Sequence, residues 1–293
     1  MQPGHAEIVG AGFGGLVAAI GLAERGWTVC VHERRSSLRG EGYGIAIHRN
    51  MAHIFASFGM LEPVLAGGMR IDRRDSIDTR GKVVLSRPTE RSPYRIDREH
   101  IVALLAERAR RAGAEIRFNS LVRGAAPEGS ITLENGRQLP ADLVVVADGI
   151  NSAIRDSLGL LRQRIWGRDG GVRVTIPRLP EEIAADDAGG TVMVEAWADR
   201  RRVLYCPVTR GELYVLLTCT ARDEAARTMP IDPAAWAASF PTLRGLFERI
   251  RRDCRRQDGF CAARRHHGPG RHAGHWDRRL PRDADHRGLP WHH

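Results

Sequence analysis

The stretch Ile8-Val9-Gly10-Ala11-Gly12-Phe13-Gly14-Gly15-Leu16 decides the fold, because a short apolar segment enters a glycine turn and an alanine-rich segment leaves it. In such a turn Gly10 permits the tight bend, Gly12 lets the backbone approach a pyrophosphate, and Gly15 lets strand and helix pack closely. Free N–H groups and the positive end of the helix dipole then attract the phosphate charge. The pattern predicts a dinucleotide-binding β-α unit rather than a structural glycine turn.

An acidic residue stands at the distance that such a unit requires. Residues 28–33 are predicted as the second parallel strand, and Glu33 ends it, 23 residues after Gly10. At this spacing a carboxylate accepts hydrogen bonds from ribose hydroxyls. The alternative is that Glu33 is only a solvated residue at the end of the strand. We predict a nucleotide site formed by Gly10, Gly12, Phe13, Gly14, Gly15, Glu33 and Arg34.

The composition is that of an ordinary globular protein of one or two domains. The chain has 293 residues, 42% of them hydrophobic and 27% charged, with no apolar run long enough to span a bilayer. Five irregularly spaced cysteines and the absence of a signal peptide predict reduced thiols and a cytoplasmic location. Of the net charge of +10, residues 251–293 contribute +6. That tail lacks aromatic interleaving and helical periodicity, so we expect neither nucleic-acid nor membrane binding.

Later segments indicate how the chain continues after the first β-α-β unit. Residues 97–113 have the apolar stripe of a helix, and residues 143–147 are apolar throughout, as in a strand that is buried on both faces. From about 165 to 220, strand-like segments separated by turns predict an inserted antiparallel sheet. Residues 232–251 are predicted as a helix with its apolar side chains at core spacing.

Three motifs together resemble those of the single-component FAD-dependent aromatic hydroxylases, the p-hydroxybenzoate-hydroxylase-like flavoprotein monooxygenases. The glycine turn with Glu33 is similar to that family's site for the ADP half of FAD. Arg98, at the start of its helix, matches an arginine that family members use near the flavin's diphosphate and ribityl chain. Residues 142–155, with Asp148-Gly149, resemble the Asp-Gly motif associated with both FAD and NAD(P)H binding. The resemblance spans residues 6–250.

Three of the residues that the resemblance places at the cofactor could instead have a purely structural role. Arg98 could instead pair with a neighbouring carboxylate on the surface. Asp148 could be only the N-cap of the helix that follows it. Val122 corresponds to a strand whose backbone touches the adenine in relatives, and core packing alone is an equal alternative.

The resemblance implies an α/β fold in which a Rossmann-like FAD-binding domain, with a parallel sheet and helices, carries an inserted, mainly antiparallel β-sheet substrate domain. The implied domains are residues 1–160 for FAD binding with a small substrate-domain excursion near 65–97, 161–230 for the substrate sheet, 231–250 for a returning helix, and 251–293 for an irregular basic tail.

The implied reaction has two stages. NADH or NADPH reduces FAD, and the reduced flavin traps O2 as a C4a-hydroperoxide that hydroxylates a small, usually phenolic, aromatic substrate. We expect a monomer or homodimer. An epoxidase, a halogenase or a reductase on the same scaffold, or an inactive remnant, is the alternative.

The residues that would carry the substrate and the chemistry are less defined. Tyr205, Tyr214, Trp197 and Arg202 are candidate substrate contacts, but strand alternation does not decide among them. No catalytic base is predicted. No metal site is predicted either, since the spacing of Cys254, Cys261 and His266-His267 fits no usual structural zinc site.

The family's pattern stops near residue 250, where relatives continue with an apolar strand, Gly-Asp and small residues. Here the sequence becomes rich in arginine, histidine, glycine and proline. Read one nucleotide later, with arginine as CGN, residues 272–276 permit Met-Leu-Val-Ile-Gly. Residues 276–286 then permit Gly-(Ile/Thr)-Asp-Ala-Cys-His-Ala-Met-Pro-Thr-Thr. This favours a frameshift over a divergent disordered tail, and we expect such a chain to bind FAD poorly.

The nucleotide sequence across codons 250–293 tests the frameshift. A one-nucleotide change is expected to open a frame that runs on for about a hundred further codons, given the usual size of domains. A stop codon early in the shifted frame would contradict the frameshift and support a divergent tail.

Overall fold

The structure, a computed structural model, describes residues 2–38, 43–89 and 93–254 and the backbone of 261–267. The N-terminal elements are β1 (His5–Val9), α1 (Phe13–Ala23), β2 (Thr28–His32), β3 (Ile45–Ala46), α2 (Arg49–Ser57), α3 (Leu61–Ala66), β4 (Gly68–Arg70), β5 (Arg73–Ile77), β6 (Val83–Pro88), β7 (Tyr94–Ile96), α4 (Arg98–Arg111), β8 (Glu115–Arg117), β9 (Val122–Ala126), β10 (Ser130–Leu133), β11 (Gln138–Pro140), β12 (Leu143–Val146) and α5 (Ala153–Ser157). The remaining elements are β13 (Gln163–Pro177), α6 (Pro180–Gly189), β14 (Val192–Ala198), β15 (Arg201–Thr209), β16 (Glu212–Thr220), α7 (Glu224–Arg227), α8 (Pro233–Ser239), a 3-10 turn (Pro241–Leu243), α9 (Arg244–Asp253) and β17 (Cys261–His267).

A parallel sheet lies under the N-terminal half. Within the described residues its strand order is β12-β1-β2-β8, and each neighbouring pair is parallel. One face packs against α1 and α4, where Ile8, Leu16 and Leu105 are fully buried. The other face packs in part against the antiparallel sheet β11-β10-β9 through Val9 and Ile131. The predicted Rossmann-like unit is therefore confirmed.

Strand β12 is half-exposed, whereas its apolar sequence predicted burial on both faces. Leu143 and Val145 pack toward the helices, and Val144 and Val146 pack toward the β9–β11 sheet. Among the described residues β12 has only β1 as a neighbour, because it lies at the edge of the sheet. Both faces of β12 are covered, so its partial exposure comes from its position at the edge of the sheet.

The second large sheet is mainly antiparallel, as predicted. In the described residues its order is β17-β13-β16-β15-β14-β5-β6, and only the β14–β5 pair is parallel. Strands β5 and β6 lie inside the predicted excursion near 65–97. One face of the sheet is covered by α8 and α9, which bury Trp236 and Phe247 against Val174 and Val215.

The helix predicted over 232–251 is broken into α8, the 3-10 turn and α9. Pro241 has no N–H to donate and starts the new turn, so α8 ends just before it. Helix α9 extends past the predicted boundary at residue 250 and ends at Asp253, and β17 pairs with β13. The rest of the predicted irregular tail lies outside the described residues. No helix in the described ranges is long and apolar enough to cross a membrane.

Removing the Phe247 ring should destabilise the sheet–helix core. Phe247 is 0% exposed, and its ring centroid lies 6.0 Å from that of Trp236 and 6.5 Å from that of Phe240. Phe247→Ala is expected to lower the free energy of unfolding by about 3–5 kcal/mol, measured by urea denaturation. The control Val84→Ala, at a side chain that is 62% exposed, should change it by less than about 0.5 kcal/mol. Equal effects would contradict this assignment of the core.

Candidate functional site

Two glycines in the turn between β1 and α1 are required by the backbone itself. Gly10 has φ +101°, which side chains rarely adopt, and a Cβ there would lie 2.5 Å from the carbonyl oxygen of Ala147. A Cβ on Gly15 would lie 1.9 Å from the carbonyl oxygen of Gly10. Only glycines therefore allow α1 to begin so close to the end of β1.

The other two glycines of the turn face open space. Among the described residues, nothing lies within 4 Å of a Cβ built on Gly12 or Gly14. Gly12 is the N-cap of α1, and its carbonyl accepts the first helical hydrogen bond from the Leu16 N–H at 2.9 Å. The N–H groups of a first helical turn have no partner inside their own helix. Room and hydrogen-bond donors are both present for a pyrophosphate.

The Glu33 carboxylate turns toward the glycine turn. Its Oε2 accepts a hydrogen bond from the Ala11 N–H at 3.1 Å, and its Oε1 accepts one from the Arg35 N–H at 3.1 Å. Glu33 is half-buried, and Arg34 beside it is exposed. The carboxylate is thus held at the edge of the turn, and its contact with a ribose stays a prediction.

Arg98 lies across the turn, at the first position of α4. Its guanidinium carbon is 4.8 Å from the centroid of the Phe13 ring, at the first position of α1. This cation–π contact places a positive charge beside the start of α1, next to the open space. The implied role of Arg98 near the flavin's diphosphate stays a prediction.

The segment after β12 borders the same turn. The Ala147 N–H donates to the Val9 carbonyl at 2.8 Å, and a Cβ on Gly10 would lie 3.1 Å from the Cα of Asp148. Asp148 is exposed there. The residue that caps α5 is Ser152, whose Oγ accepts a hydrogen bond from the Arg155 N–H at 3.0 Å. The alternative that Asp148 is only an N-cap is therefore wrong.

The side chain of Val122 packs in the hydrophobic core. It is 7% exposed and packs with Val9 and Ile131. Its backbone begins β9, directly after the loop that follows β8. The Val122 side chain is therefore part of the core. A contact between its backbone and the adenine stays a prediction.

The face of the seven-stranded sheet that is turned away from α8 and α9 carries arginines and aromatic rings. We call it the arginine face and define it by Arg74, Glu195, Trp197, Arg202 and Tyr214. The Arg202 guanidinium carbon lies 5.2 Å from the centroid of the Trp197 ring. Tyr214 is 6% exposed in the cluster on this side of the sheet. Three of the four predicted substrate candidates are therefore on one face.

The fourth candidate, Tyr205, lies on the opposite face of the sheet. It packs in the core that α8 and α9 cover, and burial raises its pKa to about 12. The sequence had left open which of the candidates share a face. Strand alternation separates Tyr205 from Arg202.

Glu195 was missed by the sequence analysis. It is 2% exposed, its Oε1 accepts a hydrogen bond from Arg202, and its Oε2 accepts one from Arg74. Burial lowers the pKa of both guanidiniums, and Arg95 and Arg87 add to the positive potential at Arg74. The sequence feature that could have revealed Glu195 is a single acidic residue among the apolar residues of β14.

Strand β7 links the arginine face to the glycine turn. Arg95 in β7 reaches the sulfur of Met193 in β14, with Nη2 3.3 Å from Sδ. Three residues later Arg98 contacts Phe13. The two halves of the candidate site are thus joined by one short piece of chain.

A glycine turn between the first strand and helix of a parallel sheet, together with a second, mainly antiparallel sheet, is typical of dinucleotide-binding α/β proteins. The family model described as FAD binding domain matches residues 5–243, and the chain belongs to this family of flavoprotein monooxygenases. FAD is the family's cofactor, and the predicted resemblance is confirmed.

Individual relatives agree with the family assignment. The chain is 34% identical over 250 residues to a probable 2-heptyl-3-hydroxy-4(1H)-quinolone synthase of Rhodococcus erythropolis, covering 83% of this chain and 64% of the relative. It is 27% identical over 256 residues to a 3-hydroxybenzoate 6-hydroxylase of Aquipseudomonas alcaligenes, covering 81% and 63%.

Among solved structures, the tetrameric form of 2-methyl-3-hydroxypyridine-5-carboxylic acid oxygenase superposes with a TM-score of 0.79 at 32% identity. The match covers 92% of this chain and 72% of that one. The chain spans about two thirds of the length of the curated relatives that it matches.

A methyl group at Gly15 should disrupt the turn, whereas one at Gly14 should not. Gly15→Ala forces a Cβ against the Gly10 carbonyl oxygen, and we expect it to lower the free energy of unfolding by about 1–3 kcal/mol. Gly14→Ala meets open space in a helix, so it should leave stability unchanged or raise it by up to about 1 kcal/mol. Urea unfolding of FAD-free protein measures both. A Gly15→Ala protein as stable as the wild type would contradict the close approach.

Proposed function

We propose that this chain is the FAD- and substrate-binding part of a monooxygenase that hydroxylates a small, hydroxyl-bearing aromatic or heteroaromatic compound, using NADH or NADPH and O2. The observation that carries the proposal is the position of Glu33 and Arg98 on either side of the open glycine turn, joined through β7 to the arginine face. The names of the relatives, a hydroxyquinolone synthase, a hydroxybenzoate hydroxylase and a hydroxypyridinecarboxylic acid oxygenase, support this substrate class.

The residues around the turn fit FAD on chemical grounds. In the proposal the first N–H groups of α1, at Phe13, Gly14 and Gly15, bind the pyrophosphate, because they have no partner inside the helix and the turn is open at Gly12 and Gly14. Glu33 accepts hydrogen bonds from the adenosine ribose, and Arg98 neutralises diphosphate charge. Asp148 and the backbone of Val122 border the same ligand. When bound, the flavin supplies hydride acceptance from NAD(P)H and activation of O2.

The arginine face orients the aromatic substrate in the proposal. Glu195 is buried and holds both Arg202 and Arg74 by hydrogen bonds, so these guanidiniums are fixed before any substrate arrives. An oxygen-bearing ring can then be bound by the fixed Arg202 and by the Tyr214 hydroxyl, with Trp197 contributing apolar surface. A cytoplasmic location, where NAD(P)H is available, and a monomeric or homodimeric assembly complete the proposal.

Substrate-stimulated oxidation of NAD(P)H tests the function. We expect purified protein to turn yellow only with FAD in excess, since the family's pattern stops near residue 250. The yellow protein should oxidise NADH or NADPH faster when a phenolic acid, a hydroxypyridine carboxylic acid or an alkyl-4-quinolone is added. Arg202→Met should raise KM for the stimulating compound about tenfold or more, since one charge-assisted hydrogen bond is lost. Its affinity for FAD should stay unchanged.

Tyr205→Phe is the matched control, because Tyr205 is on the opposite face of the sheet, and it should leave KM unchanged. Protein that takes up FAD but responds to none of these compounds would contradict the substrate class. Colourless protein that cannot be reconstituted with FAD would instead indicate an inactive remnant.

A further inference from the structure

A buried hydrogen-bonded network lies under Glu33, on the face of the parallel sheet turned away from α1. We call it the Glu7 network and define it by Glu7, His32 and Ser120. His32 Nε2 is 2.6 Å from Glu7 Oε2, and His32 Nδ1 is 2.7 Å from Ser120 Oγ. Glu7 is 3% exposed and His32 is 1% exposed. Polar groups this deeply buried are costly unless paired, and here each has a partner.

The network is anchored by a charged carboxylate. Burial alone would raise the pKa of Glu7, but hydrogen bonds from His32 and from His5 outweigh burial and lower it. Glu7 is therefore an acceptor at neutral pH, and His32 Nε2 donates to it. The imidazole is then oriented so that Nδ1 meets the Ser120 hydroxyl, which can donate or accept.

Cys30 completes a set of three buried groups that resembles a metal site, since the Glu7, Cys30 and His32 ligand atoms lie within 4.8 Å of one another. The 2.6 Å contact between Nε2 and Oε2 is a hydrogen-bond distance, whereas two such ligands on one tetrahedral zinc lie about 3.3 Å apart. Burial also raises the pKa of the Cys30 thiol to about 12, which keeps its proton in place. The arrangement is that of a hydrogen-bonded network.

Ser120 connects this network to the backbone that carries Glu33. Its N–H donates to the Glu33 carbonyl at 2.9 Å, and the Glu33 N–H donates to the Arg117 carbonyl at 2.8 Å. The neighbouring Asn119 N–H donates to the Arg35 carbonyl at 2.9 Å. The loop after β8 is thus clamped against the end of β2 by backbone bonds, and the Ser120 side chain ties the same loop to His32.

The clamped loop touches the adenosine end of the nucleotide site at two places. On one side it holds Glu33, whose Oε2 is bonded to the Ala11 N–H in the glycine turn. On the other side, two residues after Ser120, it leads into Val122 at the start of β9. Loss of the bond between His32 and Ser120 would leave only the backbone bonds to hold the loop, and it would loosen both elements relative to the turn.

We propose that His32, held by Glu7 and bonded to Ser120, is a positioning residue for the adenosine half of the cofactor. It keeps the Glu33 carboxylate at the glycine turn and the start of β9 at a constant distance from it. The inference rests on the proposed FAD-binding role of the turn. Because Glu33 and the start of β9 border only the adenosine half of FAD in the proposed function, the network affects the affinity for ADP and for FAD equally.

Ser120→Ala is the sharpest variant, because Ser120 is only partly buried and the change leaves the Glu7–His32 pair intact. We expect the Kd for FAD, measured by flavin fluorescence, and the Kd for ADP, measured by competition, to rise by the same factor of about five to ten. Ser120→Thr keeps the hydroxyl and should restore wild-type affinity. Val29→Ala is the matched control: Val29 is buried in the same strand as His32 but packs on the α1 face of the sheet, so the change should lower stability without changing either Kd.

Hydrogen exchange on FAD-free protein separates this inference from the proposed function. Ser120→Ala should speed amide exchange at Glu33 and at position 120 relative to the wild type and to Val29→Ala. Unchanged exchange together with an unchanged Kd for FAD would overturn the positioning role. A wild-type protein that binds neither FAD nor ADP would overturn the proposed function, and the exchange rates would still decide whether His32 positions Glu33.

Discussion

The close approach of α1 to β1 is the constraint on which the rest of the site depends. Since Gly15 has no Cβ, the helix begins directly over the Gly10 carbonyl, and Gly10 itself turns the chain at φ +101°. The start of α1 therefore faces the carboxyl ends of three neighbouring parallel strands. The residues that follow those strands, the glycine turn, Glu33 and Asp148, meet there because parallel strands end at the same edge.

The second half of the site depends on the first through short connections. Strand β7 carries Arg95 on one side and is followed by Arg98, so the arginine face and the glycine turn are held by one segment. The buried carboxylate of Glu195 keeps two guanidiniums in place on that face. In the proposal the Glu7 network does the same for the Glu33 carboxylate. In both places a buried acid is hydrogen-bonded to a basic side chain, and the pairing holds that side chain in one orientation.

Local signals made the nucleotide-binding half predictable. The glycine spacing, the apolar strands and the acid at residue 33 are all set by short stretches of chain, and the structure places them as predicted. The break at Pro241 was also visible in the sequence, but the regular spacing of Trp236, Phe240 and Phe247 masked it. That spacing was right about the core, since all three are buried, and wrong about a continuous helix.

The sequence by itself determined the family, the β-α-β unit and the residues that form the turn, because each of these depends on backbone conformation within a few residues. Only the tertiary structure decided which of Tyr205 and Tyr214 shares a face with Arg202, that Glu195 pairs with two arginines, and that His32 links Glu7 to Ser120. These contacts join residues that are far apart in the chain, and strand order and register bring them together. Side-chain partners across a sheet follow from register, which no local pattern specifies.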